Sequence, residues 1–197
     1  MCHHFKLLNE AKELAKQFKA RIANPQQAIP IGDFYPLHQV AVVRLDNAGE
    51  REIVSMEWGL LPFWWKPSDR HTSRKSFQRK CFNARGETIA TKPAFRESFK
   101  HRRCLILASS FFERGHYFHL PDNKLFAMAG LWERWLGESE PIETCTIVTT
   151  TPNSEVRAVG HHRMPVTLLS DANIESWLIG DSPEKAIGRV EDGVFLD

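Results

Sequence analysis

The chain has 197 residues, of which 42% are apolar and 25% charged, with a formal net charge of +2. That is the size and composition of one ordinary globular domain, burying roughly 70% of its unfolded surface. No apolar run approaches the ~20 residues that cross a bilayer, and the four cysteines lie far apart with no CxxC pair, which argues against a zinc finger or a disulfide framework. The net charge hides an asymmetry: residues 1–103 hold 19 Lys/Arg and 10 Asp/Glu, residues 104–197 hold 7 and 14. Either one basic face meets a polyanion, or the halves fold together and the charges intermix.

The chain opens Met1-Cys2-His3-His4-Phe5. A small second residue favours removal of an initiator methionine, which would leave Cys2 with an α-amine and a thiol. An α-amine titrates near pH ~8, against ~10.4 for lysine, so far more of it is free base. A 1,2-aminothiol forms an imine with an aldehyde, and the thiol then closes a thiazolidine ring, which is covalent trapping. Alone the position is weak support, since a lone cysteine near a chain start is commonly incidental. Lys6, Glu10, Lys12 and Glu13 follow, so no apolar signal-peptide core is read there. A reducing, cytoplasmic setting is expected, nucleoid-associated if the source is bacterial, with no membrane partner.

Asn9 is placed as the cap of a helix reaching about Arg21, with Leu8, Ala11, Leu14, Ala15 and Phe18 on one face. Residues 22–37, with prolines at 25, 30 and 36, read as loop. Strands are expected over 38–45 and 51–58 around the turn Asp46-Asn47-Ala48-Gly49. Trp58 closes the second strand and is expected in the core. Trp64 and Trp65 sit in a turn, one of them exposed and able to stack on a base. Residues 66–80 read as a polar loop carrying Lys66, Arg70, Arg74, Lys75, Arg79 and Lys80. Such a run is usually a solvated face, but cations interleaved with aromatics also suit single-stranded nucleic acid. Arg96, Lys100, Arg102 and Arg103 add a second basic cluster.

Strands are expected at 104–108, 116–120, 125–131, 144–150 and 166–169, with Trp132 and Trp135 in the core. Glu113 emerges among aromatics, where burial would raise its pKa toward general acid–base duty; the bland reading pairs it with an arginine. Short helices are expected over 152–159, 171–178 and 182–188, and a last strand over 193–196. Cys81, Cys104 and Cys145 are read as packing residues. The order implies a single α+β domain over residues 1–197, with a curved, largely antiparallel, barrel-like sheet and a few flanking helices.

Met1-Cys2, Trp58-Gly-Leu-Leu-Pro-Phe-Trp, Phe82-Asn-Ala-Arg-Gly-Glu-Thr, Pro93-Ala-Phe-Arg, Arg102-Arg-Cys-Leu-Ile, Phe126-Ala-Met-Ala-Gly-Leu-Trp-Glu, Thr146-Ile-Val-Thr-Thr and His161-His-Arg-Met-Pro-Val follow one another along the chain. In that order they resemble the SOS-response-associated peptidase (SRAP) family, the abasic-site processing proteins. The resemblance implies self-removal of Met1, binding of single-stranded DNA, and capture of the abasic aldehyde by Cys2 as a thiazolidine crosslink. It implies catalytic roles for Cys2, Asn83, Glu113 and His161. It implies DNA contacts from Trp64 and Arg85 and puts the family's threonine on Thr149 or Thr150; beside these, Trp65, Arg74, Lys75 and Arg163 are expected to touch DNA, and the protein is expected to be a monomer with no cofactor or metal. Glu113 would move the protons of imine formation, His161 would help open the sugar hemiacetal or protonate its oxygen, and Asn83 would orient the amino terminus or the sugar.

The family usually begins Cys-Gly-Arg; here it is Cys2-His3-His4, without the phosphate-binding arginine at position 4. Arg114 also stands where the family has an aromatic, which would lower the pKa of Glu113. Three other readings stand beside this one: a noncovalent single-strand binder, a cysteine peptidase acting on other proteins, and a square-planar Cu(II) or Ni(II) chelate using His3 or His4.

Overall fold

The computed structural model describes residues 2–137, 140–188 and 190–196. The first half runs β1 (Phe5–Leu7), α1 (Ala11–Phe18), β2 (Arg21–Ile22), β3 (Gly32–Phe34), β4 (Gln39–Leu45), β5 (Arg51–Trp58), α2 (Arg74–Gln78), β6 (Asn83–Arg85) and α3 (Arg96–His101). The second runs β7 (Arg103–Ala108), β8 (Ser110–Glu113), β9 (His116–His119), β10 (Phe126–Trp135), β11 (Ile142–Thr150), α4 (Ser154–Ala158), β12 (Met164–Pro165), β13 (Thr167–Leu168) and α5 (Asp171–Leu178).

Strands β11, β10, β7, β4 and β5 pair side by side, and β5 returns to β11, closing a five-stranded barrel. All neighbours are antiparallel except that last pair, Thr144 with Glu57 and Cys145 with Trp58. Closing the sheet removes the unpaired edges an open sheet would expose. The β4–β5 hairpin is set locally. The Asp46 carboxylate accepts from the N–H groups of Ala48 and Glu50, and Gly49 supplies a φ of 83°.

A second, four-stranded antiparallel sheet has the order β3-β1-β8-β9. Its β8–β9 hairpin turns through Arg114 and Gly115, both at positive φ (55° and 95°), the pair a two-residue hairpin turn requires. Phe5, Phe34, Phe111 and Phe118 form its inner face and pack toward the barrel, Phe5 against Trp58 at 5.1 Å between ring centroids and Phe111 against Phe126 at 6.3 Å. One core runs through both sheets, so the α+β, barrel-like expectation holds.

Local departures have local causes. Helix α1 starts after Glu10, whose side chain makes no capping bond, while Asn9 donates its side-chain amide to Glu13. Residues 22–37 contain β3, and the loop expected over 66–80 contains α2, capped by Ser73. A five-residue helix leaves no periodicity to read. The strand expected over 193–196 is a single bridge between His119 and Leu196. Trp132 and Trp135 are half-buried rather than core: the Arg44 guanidinium covers the Trp132 ring, and Trp135 packs on Trp65. Among the described residues no helix is long and apolar enough to cross a membrane.

Trp58 is fully buried, and its indole N–H donates to the Phe82 carbonyl at 2.7 Å. The next residue, Gly59, sits at φ 138° with Gln78 only 3.0 Å from where a Cβ would lie, so a side chain there would be both strained and crowded. Trp58→Ala is expected to lower the free energy of unfolding by about 3–5 kcal/mol, from lost burial and the remaining cavity. Urea unfolding monitored by far-UV circular dichroism measures it.

Candidate active site around Cys2

The pairing of β1 with β8 sets Phe5 opposite Phe111 and Lys6 opposite Ser110, and the Phe112 N–H bonds the His4 carbonyl at 2.9 Å. The ladder carries Cys2 toward Glu113, the last residue of β8. Cys2 is fully buried, and its thiol donates to the His4 carbonyl at 3.6 Å. Burial holds the thiol well above its ordinary pKa, and the nearby Glu113 charge pushes it the same way.

Asn83 opens β6, which lies parallel to β11. Its side-chain amide donates to the Cys2 carbonyl at 2.7 Å. Its Oδ1 is buried and has no hydrogen-bond partner among the described residues, leaving an acceptor beside Cys2. His161 lies on the turn after α4, where its N–H bonds the Val156 carbonyl. Its Nε2 is 3.1 Å from Glu113 Oε2.

Glu113 is 2% exposed. Burial pushes its carboxyl up to about 7, while nearby positive charge, Arg114 included, acts the other way without prevailing. The expectation that Arg114 would hold this pKa down is therefore corrected: removal from water outweighs a cation at the hairpin tip. Burial pushes His161 down to about 4. Both shifts favour neutral forms, so at neutral pH the contact brings a carboxyl near its midpoint against a neutral imidazole rather than making a settled ion pair.

The residues expected at DNA divide. Trp64 is 44% exposed. Trp65 is 5% exposed, its ring packed on Phe77 and Trp135, so it is a core residue and not a stacking face. Arg74 bonds Glu57 at 2.6 Å and Gln78 at 3.0 Å, which fixes α2 to the end of β5. Lys75 and Arg85 are exposed. Thr149 and Thr150 are buried, and the Thr149 hydroxyl bonds the Ala84 carbonyl, tying β11 to β6. Arg163 is held by the Glu87 carboxylate and by the Thr149 carbonyl at 2.6 Å. The role of Glu87 was missed because its partner lies 76 residues away. Neither was the setting of His4 legible. It is buried, donates its Nε2–H to the Asp33 carboxylate at 2.7 Å, and stacks on Tyr35.

The comparisons bear on this geometry. Residues 1–191 match the family described as SOS response associated peptidase (SRAP). The chain is 34% identical over 193 residues to the abasic site processing protein YoqW of Bacillus subtilis, covering 90% of this chain and 80% of that one. It is 32% identical over 161 residues to the abasic site processing protein HMCES of Gallus gallus, covering 67% of this chain and 46% of the longer relative. A crystal structure of a Bacteroides thetaiotaomicron protein superposes with a TM-score of 0.82 at 23% identity, over 99% of this chain and 90% of that one, and shows the same fold. The full-length family match and the matching barrel agree with the motif order: this chain belongs to the SOS response associated peptidase (SRAP) family.

Proposed function

We propose that the protein processes abasic sites in single-stranded DNA, capturing the ring-opened aldehyde on Cys2 after self-removal of Met1. The observation that carries this reading is the convergence at one buried point of Cys2, the Asn83 amide that holds its carbonyl, and the Glu113–His161 pair. The relatives named above for abasic-site processing supply the substrate class. No cofactor is invoked, and the protein is expected to act as a monomer.

Hydrolysis of the Met1–Cys2 peptide bond consumes one water and frees the Cys2 amine. In the capture step His161 assists opening of the sugar hemiacetal to the aldehyde. The amine nitrogen attacks the aldehyde carbon and gives a carbinolamine. Glu113, with its carboxyl pushed up to about 7 and so about half protonated at neutrality, donates its proton to the departing hydroxyl, and water leaves as the protonated imine forms. The Cys2 sulfur then adds to the carbon of the protonated imine while the thiol proton passes to the Glu113 carboxylate, closing the neutral thiazolidine and restoring the acid. One water is released and nothing is oxidised or reduced. The thiol is buried and largely protonated at rest, so its proton has to leave as the sulfur bonds; the Glu113 carboxylate generated by dehydration is the base within reach. Asn83 fixes the Cys2 backbone, and its buried Oδ1 suits an N–H of the freed amine. Trp64 and the exposed cations Lys66, Lys75 and Arg85 guide the strand.

Cys2→Ala should abolish a denaturant-stable complex with DNA carrying an abasic site while leaving noncovalent affinity within about twofold. A denaturing gel and a filter-binding assay read the two quantities. A crosslink that survives the substitution refutes the assignment, and binding without any crosslink by the wild type would favour a noncovalent binder.

The pH dependence follows from Glu113. Its proton is retained to about pH 7, so the single-turnover capture rate should decline as pH rises through that value. Glu113→Gln should remove that limb along with most of the rate. Because the folded-state pKa is raised, the folded state loses stability as pH rises through the same value. Glu113→Gln should therefore raise the urea midpoint relative to wild type at pH 8 and lose that advantage near pH 5.

A further inference from the structure

The outer face of the small sheet carries a feature that the capture chemistry does not use. Beside Cys2, the rings of Tyr35 and His4 lie stacked, 4.4 Å between centroids and 15° from parallel. The His4 ring is supported from beneath by Phe112 at 5.2 Å and Tyr117 at 5.5 Å. Asp33 fixes the imidazole edge at 2.7 Å, and Lys6 lies over the Tyr117 ring at 4.0 Å. Tyr35 itself is 43% exposed. His4 covers one face of the phenol ring, and the rest of the residue stays largely open to solvent.

The ring is held in place before any ligand arrives. The His38 N–H bonds the Tyr35 carbonyl at 3.0 Å, and the His38 ring packs edge-on to Tyr35 at 5.7 Å. Leu37 is kept at a φ of 77°, unusual for a branched residue, by its N–H bond to the Trp58 carbonyl at 2.7 Å. A turn anchored to the barrel therefore presents a rigid aromatic face, and a rigid face loses little entropy on binding.

From this placement we propose that Tyr35, backed by His4, is a stacking platform for the base that neighbours the abasic nucleotide; the proposal rests on the abasic-DNA reading of the same site. His4 follows Cys2 by two residues, at most about 7 Å of extended chain, so the platform stands within a nucleotide or two of the thiol. Charge decides which part of the nucleotide it takes. The Asp33 carboxylate at the platform's edge is half-exposed and only partly offset by Lys6 at 3.7 Å, so it repels a phosphate and leaves the neutral base as the fitting partner. A base has an aromatic face whatever its identity, so this contact reads the presence of a neighbouring base rather than its sequence. It would favour a single abasic site over a run of them.

Binding to oligonucleotides carrying a tetrahydrofuran abasic analogue tests this without the aldehyde chemistry. The base is removed in turn from the 5′ and the 3′ neighbour, and the affinities of wild type, Tyr35→Ala and Tyr35→Phe are compared by fluorescence anisotropy. The wild type is expected to bind about tenfold more weakly when one of the two neighbours lacks its base. Tyr35→Ala should bind the intact neighbour about tenfold more weakly and lose that discrimination, while Tyr35→Phe retains it. Undiminished discrimination in Tyr35→Ala, or none in the wild type, overturns the proposal. Because the analogue cannot crosslink, failure here is distinct from failure of capture by Cys2, which the denaturing gel reads.

Discussion

The antiparallel pairing of β1 with β8 is the constraint on which the site depends. It joins residues more than a hundred positions apart, Phe5 to Phe111 and Lys6 to Ser110, and so delivers the amino-terminal cysteine to Glu113. The Phe5 and Phe111 side chains point into the shared core, where they pack on Trp58 and Phe126. Slipping one strand by one residue would turn its phenylalanine toward solvent while the other stays in the core, so burial locks the alignment. The site is thereby positioned by sheet hydrogen bonds and aromatic packing rather than by a loop.

Burial also sets the chemistry. A carboxyl and an imidazole in water would both be charged over part of the range between their ordinary pKa values. Here removal from water moves the two in opposite directions, Glu113 up to about 7 and His161 down to about 4. Each shift favours a neutral species, and together they yield a carboxylic acid able to donate at neutral pH. The thiol is under the same pressure and remains protonated until a partner takes its proton.

The charge asymmetry of the sequence resolves into two populations. Several basic residues of the first half pair with acids of the second: Lys19 with Asp171, Arg44 with Glu143, Arg51 with Glu175 and Arg102 with Glu133. Arg103 donates to the carbonyls of Trp177 at 2.6 Å and Gly180 at 3.2 Å, satisfying acceptors at the end of α5. These cations join parts of the fold. Lys66, Arg70, Lys75, Arg79, Lys80 and Arg85 instead remain exposed beyond Trp64. Of the basic cluster at 96–103, Arg102 and Arg103 are structural while Arg96 and Lys100 stay exposed, and the run following the tryptophan pair adds further positive surface.

Sequence by itself determined the long elements and the order of the motifs. Strands β4, β5 and β11 were legible because alternation and turn residues are local signals, and short ordered motifs named Cys2, Asn83, Glu113 and His161 as candidates, which the fold brings together. What only the tertiary structure decided was which of two adjacent residues faces inward and which charges meet. Trp64 and Trp65 are neighbours of one type, yet only Trp65 finds Trp135 to pack against. Arg163 and Arg74 read as phosphate contacts until Glu87 and Glu57 come beside them. His4 gives no sign in the sequence that it will lie buried between Asp33 and Tyr35. Each of these outcomes depends on a partner distant along the chain, and the burial that shifts Glu113 and His161 exists only once both sheets have closed around them.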